Sequence, residues 1–174
     1  MKGYNALKKY GFIFLLCILL TAFQQAIISQ IVIFNSSFDM VFVFIICFSL
    51  TRDDVECVIT ALILGIIKDC YFPQIFGINT VIYVSSAYIL SQLQKRIYKD
   101  AVIIPVMLSF IFTLFKNVLY FGYLYIASIK LDFVQDVANV MLIEALYNSI
   151  ISLFIYRFVK RLNTMNIMKQ EWKF

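Results

Sequence analysis

The sequence predicts an all-α integral membrane protein of six transmembrane helices. Three observations lead there. Of its 174 residues, 63% are hydrophobic and only 14% charged, where soluble domains run at roughly 45–50% apolar and about 25% charged. The apolar residues gather in six runs with short connections, and the basic residues concentrate on one side of those runs. No linker, low-complexity tract or internal repeat divides the chain, so 1–174 read as a single membrane domain.

The runs cover about 11–34, 38–51, 55–72, 75–93, 101–126 and 133–158. A crossing needs roughly 20 residues, with a usual range of about 17–25, and all but the second satisfy that. In the second, Asp39 and Arg52 leave only a short apolar run, Met40 to Leu50. Charge decides the matter, because lysine and arginine near span ends favour the cytoplasm. With six spans and both termini inside, 12 of the 15 basic residues are cytoplasmic, including Lys8, Lys9, Arg52, Lys95, Arg96, Lys99, Arg157, Lys160 and Arg161. Only Lys68, Lys116 and Lys130 lie elsewhere. Omitting the second span would turn the Lys95-Arg96-Lys99 cluster outward. The short helix is therefore expected to cross, with snorkelling ends or local bilayer thinning.

The first run has the basic start of a signal peptide, but it continues past Gln24-Gln25 to Phe34 with no small-x-small cleavage site near Ala22 to Ala26. It reads as an uncleaved anchor. At the other terminus, Met165, Met168 and Trp172 share a helical face beside Lys169 and Lys173, the pattern of a short helix on the inner membrane surface, with a frayed tail as the alternative. A net charge of +5 then reflects the cytoplasmic bias and contact with anionic lipid rather than nucleic acid, for which no soluble domain exists.

Catalytic chemistry finds little to work with. There is no histidine, and Cys17, Cys47, Cys57 and Cys70 are scattered singly, without metal-ligand spacing. Phosphate-binding loops, nucleophile elbows and zinc-protease helices are missing. The expectation is a non-enzymatic protein with no catalytic residues, no metal and no cofactor.

Two constellations stand out. Ala61, Gly65 and Asp69 recur every four residues, so they form one smooth strip with a carboxylate at its tip. Small residues at that spacing let helix backbones approach closely. Pro73 then breaks the helix, Phe76-Gly77 opens the next, and Asn79 is the available partner for Asp69 across the break. These five positions (Ala61, Gly65, Asp69, Gly77, Asn79) are candidates for helix packing or partner binding. A solvated Asp69 at a span end is the plainer alternative.

The second constellation is Lys116 and Glu144, each fourteen residues from Lys130 at the turn between spans five and six. In an antiparallel hairpin they reach similar depth and can pair, with Asn117 and Asn148 satisfying the remaining polar groups. Each charge alone in mid-bilayer costs about 2.5–3.5 kcal/mol on insertion scales. The alternative is a snorkelling Lys116 and a protonated or water-exposed Glu144.

The run Leu64-Gly65-x-x-x-Asp69, then Pro73, Phe76-Gly77 and an aliphatic helix from Tyr83 to Tyr88, resembles the signature region of the rod shape-determining MreD family. Lys68 directly before the aspartate and the many aromatics depart from that pattern. The resemblance implies an inner-membrane scaffold of the cell-elongation machinery, acting in lateral peptidoglycan synthesis. Its implied partner is MreC, with MreB, RodA and RodA's penicillin-binding transpeptidase as further ones. It also implies a fold similar to the substrate-binding membrane subunits of energy-coupling-factor vitamin transporters, which supplies the alternative function.

Overall fold

A computed structural model describes residues 2–26, 30, 36, 38–71, 76–96, 103–126, 134–165 and 168, with backbone alone at 2–7 and 134–138. They form six helices: α1 Lys2–Ala26, α2 Met40–Ser49, α3 Asp54–Tyr71, α4 Ile78–Gln94, α5 Ile103–Ile126 and α6 Val134–Thr164. Each falls within or beside one of the six apolar runs. α1 and α6 extend well beyond their runs at the charged ends, because Lys2–Lys9 and Lys160–Thr164 continue the helical register. Residues 27–29, Pro73 and Lys130 lie outside the described residues.

α1, α5 and α6 each contain a stretch long and apolar enough to cross a bilayer unaided: Lys8–Ala26, Ile103–Ile126 and Asn139–Thr164. α3 carries Asp54, Glu56, Lys68 and Asp69, so its mean hydropathy is low for a reason the packing makes plain. Glu56 and Asp69 are buried, Lys68 is largely so, and each has a partner inside the protein.

α2 is the centre of the bundle. Every residue from Val41 to Ser49 is buried, most of them at 0% exposure. Ten residues at about 1.5 Å each give a rod of about 15 Å, half the ~30 Å hydrocarbon core. Protein wraps that rod on all sides, chiefly α6 and α4 with α3, α5 and α1. Protein thus surrounds this short helix from Val41 to Leu50.

Hydrogen bonds fix the helix directions. Lys9 of α1 pairs with Glu56 at the start of α3. Arg52 in the α2–α3 turn donates to Asn163 Oδ1 near the end of α6 at 2.8 Å, and its carbonyl accepts from Gln94 at the end of α4 at 2.6 Å. Lys95 reaches Asp54 at 2.6 Å. The beginning of α1, the α2–α3 turn and the ends of α4 and α6 therefore share one pole. Lys95 and Gln92 hydrogen-bond the Asp54 carboxylate and hold it below the usual carboxylate range. Toward the other pole, Gln24 ties α1 to the start of α2, donating to Phe38 O and accepting from Met40 N, both at 3.0 Å. Successive helices up to α4 run antiparallel. α6 stops at Thr164; Met168 beyond it is buried while Met165 is exposed, so Met168 packs into the protein. Lys169, Trp172 and Lys173 lie outside the described residues.

Candidate functional site

The N-terminus of α2 opens in the interior, where backbone N–H groups lack helical partners. Asp39 is the residue placed to answer them. Its Oδ1 accepts from Phe42 N at 3.1 Å, a side-chain N-cap, and its own N–H donates to Asn148 Oδ1 of α6 at 2.9 Å. A carboxylate at this end also complements the helix dipole.

The other oxygen, Asp39 Oδ2, meets two cations and a hydroxyl from three helices. It lies 2.5 Å from Lys68 Nζ of α3 and 3.1 Å from Lys116 Nζ of α5, and it accepts from the Tyr83 hydroxyl of α4 at 3.1 Å. Lys68 also donates to that hydroxyl at 2.6 Å. Lys116 in turn reaches Glu144 Oε1 of α6 at 2.5 Å, and Asn117 Nδ2 donates to Glu144 Oε2 at 2.9 Å. Phe42 and Tyr83 wall the cluster: their rings stack at 5.3 Å, with Lys116 Nζ 5.4 Å from the Phe42 centroid and Lys68 Nζ 5.2 Å from that of Tyr83. Two cations and two carboxylates thus form one continuous network spanning α2, α3, α5 and α6.

Lys116, Glu144 and Asn117 are brought together as one group. Asn148 turns elsewhere, to Asp39 N and to Thr113 Oγ1 at 3.1 Å. Sequence reasoning missed Asp39 and Lys68 as members. Asp39 stands directly before an apolar decapeptide, a capping signal, but nothing in the chain order shows that the cap faces two lysines from distant helices.

The strip Ala61, Gly65 and Asp69 lies against α4. Ala61 and Asp69 are fully buried and Gly65 is buried between them. A Cβ added at Gly65 would sit 2.5 Å from Thr80 Cα, so only glycine permits this approach. Asp69 caps α4 from outside: Oδ1 accepts from Asn79 N at 3.1 Å and Asn79 Nδ2 at 2.9 Å, and Oδ2 from Thr80 N at 3.0 Å and Thr80 Oγ1 at 2.5 Å. Gly77, just before α4, has φ +97°, a left-handed conformation glycine adopts freely. Thr80 is the member the sequence reading did not single out. The strip is occupied within the chain.

A cleft of about 210 Å³ lies between the α3–α4 and α5–α6 pairs. Lys68, Lys116 and Glu144 line it, with Asn79 and Asn117 beside them and Tyr120 and Phe121 completing the wall. Among the described residues no group of three or more Cys, Asp or Glu side chains is placed to hold a metal.

The Lys116–Glu144 contact has a direct test. Exchanging the two charges would set a glutamate at 116 against Asp39, so the swap confounds two contacts. Glu144→Gln is cleaner: it keeps shape and removes one charge. Hydrogen bonds to charged groups are worth about 1.5–3 kcal/mol, and a fall in the thermal midpoint of several degrees is expected, measured on the purified protein in detergent. An unchanged midpoint would show that Asp39 alone holds Lys116.

This architecture defines a helical membrane protein whose polar interior ties helices together. A family model for the rod shape-determining protein MreD matches residues 7–164. The chain belongs to the MreD family, and its role is in determining cell shape. No curated protein and no solved structure matches it.

Proposed function

We propose that the chain is a non-enzymatic scaffold of the bacterial cell-elongation machinery, a single domain crossing the inner membrane six times with both termini in the cytoplasm. It binds MreC and through it acts on lateral peptidoglycan synthesis, in company with MreB, RodA and the penicillin-binding transpeptidase. The family match over nearly all the helices carries this reading. The pole bearing Lys9, Arg52 and Lys95 is the cytoplasmic one, in keeping with the positive-inside rule.

Asp69 and the small-residue strip support partner binding only indirectly, by setting the α3–α4 geometry. The surfaces offered to a partner helix are the exposed faces, such as Phe14, Leu15 and Leu19 on α1 or Leu146, Ile150 and Phe154 on α6. An energy-coupling-factor substrate subunit is the lesser reading, since the ~210 Å³ cleft is smaller than the roughly 300–1,000 Å³ of ordinary ligand pockets.

Depletion of the protein in its host is expected to turn rods into spheres, and tagged protein is expected to retain MreC through purification in mild detergent. Rods that persist after depletion, or an MreC-free preparation from cells that express both, would overturn the scaffold reading.

A further inference from the structure

The cleft between the two helix pairs holds more hydrogen-bond donors than the protein uses. A lysine ammonium has three N–H groups and a carboxamide two. Lys68 directs two at Asp39 and Tyr83, and Lys116 directs two at Asp39 and Glu144. Asn79 and Asn117 each commit one amide hydrogen, to Asp69 and Glu144. Among the described residues, none accepts a hydrogen bond from the remaining N–H of these four side chains, and all four line the cleft.

The two ammonium groups share one carboxylate oxygen, so they stand side by side. Asp39, which neutralises them, is behind the cleft rather than in its wall. Glu144 does line it, but its oxygens are taken by Lys116 and Asn117. The surface presented is therefore rich in donors, even though the four charges sum to zero.

We propose that this cleft binds a phosphate group. Its several oxygens, arranged tetrahedrally, can accept from donors converging on different sides, which a planar carboxylate does less well. A volume of about 210 Å³ leaves room for a phosphate and the first atoms of whatever carries it. Tyr120 and Phe121 form an aromatic wall, compatible with a phospholipid headgroup whose tails stay in the bilayer. The phosphate comes either from such a headgroup or from solution, and its binding does not depend on MreC.

Native mass spectrometry and thermal shift on the full chain in dodecyl maltoside separate the cases, with phosphatidylglycerol, inorganic phosphate and a phosphate-free glucosyl diacylglycerol as probes. Phosphatidylglycerol is expected to bind at one tight site and raise the thermal midpoint. Lys68→Gln is expected to weaken that binding about tenfold, with Asp39 still held by Lys116 and Tyr83. Phe121→Trp, which narrows the cleft without touching a charge, is expected to weaken it similarly while leaving the lipid-free midpoint within about 2 °C. Stabilisation by inorganic phosphate, lost in both variants, would place the source in solution and uphold the site. Equal binding of the glucosyl lipid, or phosphate and phospholipid binding unaltered by both variants, would overturn it.

Discussion

Asp39→Ala is expected to destabilise the protein by about 3–5 kcal/mol, the usual cost of removing one partner from a buried ion pair. The substitution strands two ammonium groups next to each other, because Lys68 and Lys116 both rest on Asp39 Oδ2. Lys116 retains Glu144, whereas Lys68 retains only the neutral Tyr83 hydroxyl. The α2 cap on Phe42 N is lost as well, which typically costs about 1 kcal/mol. For a chain of this size each kcal/mol lowers the midpoint by about 2–4 °C, so a drop of roughly 6–20 °C should be read in detergent, with reduced yield from membranes. Asp39→Asn separates the two effects: it keeps an oxygen for the cap and loses the charge, and should recover about 1 kcal/mol at most. A midpoint within 2 °C of the parent protein for Asp39→Ala would mean that the lysines find other counter-groups, and the network would no longer account for the packing of α2.

The same network shows where sequence reasoning reaches and where it stops. Hydropathy places all six helices, because it is a property of residues near one another in the chain. Equal spacing from Lys130 brings Lys116 level with Glu144, since a hairpin converts chain distance into depth. Asp39 joins them from 77 residues away, and no local pattern encodes that separation. Nor does hydropathy distinguish a helix greased for lipid from one greased for protein. Met40–Ser49 reads as a deficient span by length, yet its apolarity serves the bundle's interior. The strip Ala61-Gly65-Asp69 illustrates a different limit. Its spacing implies close approach by something, and only the fold identifies that something as Thr80 of the next helix.

Gly65→Leu is expected to be the second most damaging substitution, and it probes that approach directly. A Cβ already meets Thr80 Cα at 2.5 Å and Thr80 Oγ1 at 3.0 Å, so α3 and α4 must separate before any larger group is accommodated. Backbone cannot rotate aside as a side chain does. Overpacking a close-fitted core typically costs about 1–3 kcal/mol, occasionally more, and here the displaced atom is main chain. Separation also carries Thr80 away from Asp69, whose cap on α4 depends on the same residue. The two losses share a partner and should not add. Gly65→Ala is therefore expected to lower the thermal midpoint by several degrees, and Gly65→Leu to prevent accumulation of folded protein. Thr80→Ala in the Gly65→Ala background should recover little, because the closest contact is Cα rather than the hydroxyl. A Gly65→Leu protein that folds, melts like its parent and still retains MreC would show that α3 and α4 pack less closely than 2.5 Å implies, and the capping of α4 by Asp69 would then need another geometry.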